Sequence, residues 1–242
     1  QGLCPETPEI VAALRLVHPT SPAPSVPPLH ELPMAPVLDV ECVSKALRSF
    51  PADTAPGPTG LRIQHVRDAL GLGAGDALMD QLTAVVNLLV QGHACSSSIM
   101  PLLAGAGLVA LPKPSKGVRP IAIGELLRRL TAKCLMHEVR ADAKTYLWRA
   151  QVGVAVKAGG EAAVHALRAW VGRHAASNNS VVVKVDFRNA FNTVSRDVVL
   201  REVRQHFPAL ARWASWCYQA ASTLQFGSAT LSSTSGVQQG DP

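Results

Sequence analysis

VVVKVDFRNAF, residues 181–191, runs a series of valines into a lone acid and then, five residues on, into an aromatic ring. Valine-rich runs favour the pleated backbone, so Val181 to Asp186 reads as a strand. A buried strand that ends in a carboxylate aims that carboxylate at whatever lies beyond the sheet edge. Lys184 falls on the same face as Asp186 in an ideal strand. What the acid faces has to be read from the other segments.

The chain has 242 residues, enough to bury a core, and is 48% hydrophobic but only 5% aromatic. Its core is therefore expected to be mainly Leu, Val and Ala. A formal charge of +6 favours an anionic partner. Cys4, Cys42, Cys95, Cys134 and Cys217 are scattered without CxxC or Cys/His spacing, which points to neither a zinc site nor a disulfide framework. A reducing, intracellular compartment follows as the expectation, nuclear or cytoplasmic. The apolar run Ile99–Leu111 is too short to span a bilayer, and no signal peptide is visible. The chain starts at Gln1 and stops at Pro242, which reads as a piece of a longer frame.

Residues 18–36 are proline-dense and read as an extended linker or surface arm outside the core. Asp39 is placed to cap a helix over 40–50 that turns Val40, Val43, Leu47 and Phe50 inward. Asp76 starts a second helix, with Leu78, Leu82, Val85, Val86 and Leu89 inward and Gly92 at its end. Gly107–Leu111 reads as a short strand, followed by the loop PKPSKGVRP. A long helix is expected over about 125–146, with Leu126, Leu130 and Leu135 inside. A glycine-rich loop (151–160) feeds a helix beginning at Glu161. Further helices are expected over 196–206 and 209–221, and 223–226 pairs with 229–231 as a hairpin across Gly227-Ser228. Helices outnumber strands, so the fold class is α+β with a small antiparallel sheet.

Several stretches, in this order, carry a family pattern. APGPTGL (55–61) is similar to the PGPDGI segment upstream of the fingers in reverse transcriptases of the non-LTR retrotransposon and group II intron type. LVALPKPSKGVRPIAI (108–123) resembles their fingers motif, QVGVAVKAGGEAAVHAL (151–167) a glycine-rich segment, and KVDFRNAFNTVSR the first palm motif. GVQQGDP (236–242) resembles the second palm motif. The resemblance covers roughly residues 55–242 and implies a right-hand polymerase, truncated before the third palm motif. Residues 1–38 would be a proline-rich arm, 39–178 the fingers with their connection to the palm, and 179–242 a partial palm.

The resemblance implies an RNA-directed DNA polymerase that copies an RNA template onto a DNA primer, using dNTPs and two Mg²⁺ ions. Phosphoryl transfer of that kind needs two divalent metals about 4 Å apart, and magnesium prefers hard oxygen ligands. Asp186 would be the catalytic metal ligand, joined by the Phe187 backbone carbonyl. Phe191 would sit under the sugar and exclude a 2′-OH. Lys113 and Arg119 would bind the triphosphate, a point charge and a two-donor fork on one loop, with Lys116 assisting or solvated. Gln239 and Gly240 would lie against the nucleotide and templating base. Arg62, His65, Arg67, Arg128 and Arg129 are basic residues within reach of a template, but no pattern singles them out.

Asn192 stands where the family most often has Asp, and Val154 where Phe is common. No Asp-Asp pair occurs in the chain; Asp197 and Asp241 do not sit where such a pair belongs. One carboxylate cannot hold two dications, so this chain by itself is expected not to polymerise. The rival readings are a non-catalytic RNA-binding remnant of a decayed element, with salt-dependent binding, and an RNA-dependent RNA polymerase, which Phe191 disfavours. Oligomeric state is not encoded in any pattern seen here.

Overall fold

Thr7-Pro8-Glu9 opens the first helix, α1 (Pro8–Val17): the Thr7 hydroxyl accepts from the Ile10 N–H, and Pro8 occupies a first-turn position where its missing N–H costs nothing. This computed structural model describes residues 2–73, 75–93, 99–113, 117–148, 150–176 and 179–239. The chain divides into two compact units, residues 1–136 with 189–242, and residues 137–188.

In the first unit, α2 (Val40–Arg48) begins where the Asp39 carboxylate accepts from the Cys42 N–H at 2.7 Å. It packs with α3 (Ile63–Leu70) and α4 (Gly75–Val90) into one apolar cluster. Arg67 of α3 donates to the carbonyls of Leu47, Arg48 and Phe50, satisfying acceptors that the end of α2 leaves open. Within α4 the buried stripe is Thr83, Val86, Leu89 and Val90. Val85, expected inside, is 39% exposed, as is Val40 at 40%, because each lies at the margin of its helix's apolar stripe.

After α5 (Met100–Leu103) the chain forms β1 (Ala106–Pro112) and β2 (Val118–Gly124), an antiparallel hairpin. Helix α6 (Leu126–Glu138) buries Leu126, Leu130 and Leu135 as expected. The anticipated single helix over 125–146 is broken at Val139, whose ψ of 2° separates α6 from α7 (Arg140–Leu147). Toward the C-terminus, α10 (Arg196–His206) and α11 (Ala211–Tyr218) lead to β3 (Ser222–Phe226) and β4 (Ala229–Ser233); the elements between, α8 and α9, are given below. The β3–β4 hairpin turns across Gly227 at φ +57°, as the sequence predicts.

The sheet order is β2-β1-β3-β4. It is mixed rather than antiparallel throughout, because β1 and β3 run parallel, with Ala106 opposite Leu224. The inner face carries Ala106, Leu108, Ala110, Val118, Ala122, Leu224, Phe226 and Leu231, which cluster with Leu14 of α1. The expectation that residues 18–36 lie outside the core is corrected: Leu32 and Ala35 are buried. Prolines forbid ladder donors, but they do not stop apolar neighbours from packing.

In the second unit, α7 is followed by a glycine-rich stretch and α8 (Gly159–His174). Gly159 lies so close to the Val152 carbonyl that any Cβ would collide with it. The strand expected over Val181–Asp186 does not form; residues 180–187 take neither helix nor strand. Val181, Val182, Val183 and Val185 are exposed instead of buried. Valine propensity favours a pleated surface, but a strand exists only where a second strand supplies hydrogen bonds, and none of the described strands does so here.

Candidate functional site

The predicted site residues are split between the units. Lys113, Arg119, Phe191 and Gln239 belong to the first, and Asp186 and Phe187 to the second. Lys116, Gly240 and Asp241 lie outside the described residues.

In the β1–β2 hairpin, Leu111 pairs with Arg119, and the Lys113 N–H donates to the Gly117 carbonyl at 3.1 Å, closing the hairpin end. Strand alternation places Val109, Leu111, Arg119, Ile121 and Ile123 on the face opposite the α1 cluster, and Lys113 continues that alternation. The hairpin thus carries both cations on one outward face, Arg119 exposed and Lys113 half-buried. Strand β2 was missed in the sequence, where 112–120 reads as a loop. Its signal is the alternation of Val118, Pro120 and Ala122 inward. Pro120 fits because β2 is an edge strand: Ala122, two residues on, sends its N–H off that edge, so Pro120 lacks a donor only where the ladder needs none.

That outward Ala122 N–H donates to the Gln239 carbonyl at 3.0 Å. The 236–239 segment is anchored at its other end by Val237, whose N–H donates to the Phe191 carbonyl at 2.7 Å. Phe191 lies on the single turn α9 (Ala190–Thr193), which starts from Asn189 at φ +56°. Its ring is 52% exposed. Gly236, at φ +66°, allows the close approach, since a Cβ there would run into the Phe191 carbonyl and the Asn192 backbone. Asn192 is buried and donates to the Asn189 side chain at 2.9 Å. APGPTGL joins at the base of β2: the Glu125 carboxylate, 4% exposed, accepts from the Thr59 N–H and hydroxyl, both at 2.7 Å.

Segments distant in sequence therefore meet: Thr59 at Glu125, Gln239 at Ala122, and Phe191 at Val237. No protein-family model matches the chain, and no curated protein does so either. The geometry alone must indicate the chemistry.

Asp186 and Phe187 stand exposed in the unpaired segment of the second unit, as does Lys184. The strand-based placement of Lys184 beside Asp186 falls with the strand. Among the described residues, no group of three His, Cys, Asp or Glu side chains is placed to hold a metal ion. The donor set therefore does not fit a two-magnesium centre by itself. No helix among the described residues is long and apolar enough to cross a membrane.

The arginines sort differently from the sequence expectation. Arg128 is 1% exposed and donates to the Ala104 carbonyl, so it is no template contact. Arg129 donates to the Ala55 carbonyl at 2.7 Å. Arg196, unremarked in the sequence, is buried beneath the 236–239 segment. It donates to the Gly236 carbonyl and Ser233 hydroxyl, each at 2.8 Å, and to the Ala220 carbonyl at 3.1 Å. Burial pulls its guanidinium below the ordinary arginine value. Arg128 and Arg196 both lie over the Tyr218 ring, at 5.3 and 5.4 Å. Tyr218 accepts from the Gln238 N–H at 3.4 Å. His18 is the other missed residue; with Asn192, Gln238 and Gln239 it lines a small cleft on the inner side of β2. No sequence spacing announces Arg196, because its partners Ala220, Ser233 and Gly236 lie far along the chain, whereas His18 bonds the Leu14 carbonyl four residues back.

Proposed function

We propose that the chain is the fingers and first part of the palm of an RNA-directed DNA polymerase, of the type its motifs resemble. What supports the reading is the meeting of the hairpin, the Phe191 turn and the 236–239 segment, through the Ala122–Gln239 and Val237–Phe191 hydrogen bonds. In this reading the outward hairpin cations Lys113 and Arg119 hold a triphosphate, and Arg119 offers it a bidentate fork. Phe191 presents its ring to the sugar and leaves a 2′-OH no room. Gln239, fixed through its own carbonyl, keeps its side chain for the nucleotide. Asp186 would be one carboxylate of a magnesium site that it cannot complete by itself, and the metal would supply phosphoryl-transfer chemistry there. RNA template, DNA primer and dNTPs are the partners.

The test is primer extension by the complete reading frame. Phe191→Val is expected to raise ribonucleotide incorporation relative to deoxynucleotide by at least tenfold. Asp186→Ala is expected to abolish extension while RNA binding stays nearly intact. Extension retained by Asp186→Ala, or unchanged sugar discrimination by Phe191→Val, overturns the reading. Salt-dependent RNA binding with no turnover by the wild-type frame would favour the non-catalytic remnant.

A further inference from the structure

The valine run of the second unit is strand-forming in composition yet lies open to solvent. Val181, Val182, Val183, Val185 and Phe187 are between 54% and 82% exposed, and residues 181–187 join none of the described ladders. An uncovered segment of high β-propensity is a template for pairing with another chain. A second copy carries the same run, and the charges within it decide how the two can meet.

We propose that residues 183–187 of two copies pair as antiparallel strands about a two-fold axis through Val185. In a ladder centred there, Lys184 of each copy stands opposite Asp186 of the other, and Val183 stands opposite Phe187. Alternation puts Val183, Val185 and Phe187 on one face and both ion pairs on the other. Other registers lose this match. Centring on Lys184 sets lysine against lysine, and centring on Asp186 sets aspartate against aspartate. A centre between neighbouring residues sets both charges against apolar side chains, and centring on Val183 leaves Lys184 against Val182. Centring on Phe187 needs Arg188 and Asn189 extended, but these two form the turn into α9, with Asn189 at φ +56°. Parallel in-register stacking, the fibril arrangement, sets every charge against its like. Charge complementarity therefore selects one antiparallel pairing of two copies. The inference needs only the exposed segment and stands independently of the polymerase reading.

Sedimentation equilibrium of the 242-residue chain over a dilution series tests it. A short two-stranded ladder is marginal in water, so half-association to a dimer is expected at about 100 μM. Lys184→Asp sets acid against acid and Asp186→Lys sets base against base. Each alone is expected to weaken association on the order of tenfold, with an unchanged melting curve, because both side chains are exposed. An equal mixture of the two variants restores opposite charges at both positions and is expected to associate as the wild type does. The double variant carrying both substitutions is expected to do the same. A wild-type chain that stays monomeric throughout, or that assembles beyond a dimer, overturns the proposal. So do single variants that associate like the wild type, or a mixture that associates no more tightly than its components. The readout is assembly rather than turnover, so this inference and the polymerase reading fail separately.

Discussion

The Phe191 carbonyl and the Val237 N–H, 46 positions apart in the chain, share a 2.7 Å hydrogen bond. That bond makes the placement of an exposed aromatic ring depend on a glutamine-rich segment that carries no regular structure. It is possible only because Gly236 has no side chain.

Gly236→Ala should separate the two. The added Cβ meets the Phe191 and Asn192 backbones, and φ +66° is strained for any L-residue. A loss of more than about 1 kcal/mol is expected in urea unfolding, with smaller chemical-shift changes elsewhere than at α9. An unchanged midpoint would mean that the close approach is absent.

Arg196 is the keystone beneath the same segment. Replacing it with Met removes donors from the Gly236, Ala220 and Ser233 acceptors and should cost on the order of 3 kcal/mol. Arg196→Lys should recover less than half of that, because an ammonium cannot reproduce the planar fork. Denaturant midpoints for the three proteins check both statements.

Thr59→Val tests the joint between APGPTGL and the base of β2. The Glu125 carboxylate keeps the Thr59 N–H but loses the hydroxyl, leaving a buried oxygen short of a donor. A loss of about 1–3 kcal/mol is expected, and Thr59→Ser should restore most of it. Thermal unfolding of the pair decides.

His18 predicts a pH dependence. Its Nδ1–H donates to the Leu14 carbonyl at 2.7 Å, and burial holds the imidazole below its ordinary value, outweighing that bond. The unfolded chain, with a histidine near 6.5, therefore binds the proton more readily than the folded one. The stability linked to His18 is complete above about pH 6.5, is lost as the pH falls through the lower folded value, and is level below it. His18→Gln should flatten that part of the decline between pH 7 and 5 in urea titrations. Parallel curves for mutant and wild type would refute the burial of the ring.

Much of the local structure was legible in the sequence. The Asp39 cap, the inward Leu126, Leu130 and Leu135, and the turn at Gly227 depend on residues a few positions apart, where period and capping chemistry act. What escaped depends on distant partners. Helix α1 lay in plain view, with Thr7 and Pro8 as start signals and Ile10, Leu14 and Val17 at helical spacing, but the prolines after it suggested a detached arm. Strand β2 hid behind Pro120, whose place is explained only by the edge it occupies. Val181–Val185 misled in the opposite direction: propensity belongs to the residue, and pairing to a partner. At the candidate site, the resemblance singles out Lys113 and Arg119 and puts them on a loop; their shared outward face, the Gln239–Ala122 contact and the Arg196 clamp required the fold.

The parallel pairing of Ala106 with Leu224 has a consequence for biosynthesis. During translation, the β1–β2 hairpin emerges long before β3 exists to cover its edge. At typical elongation rates the interval is on the order of ten seconds, during which α1 can cover part of the hairpin's inner face but the edge of β1 that β3 will pair stays open. The nascent chain should therefore be a client of ribosome-associated chaperones, and its yield should depend on them more than its size alone suggests.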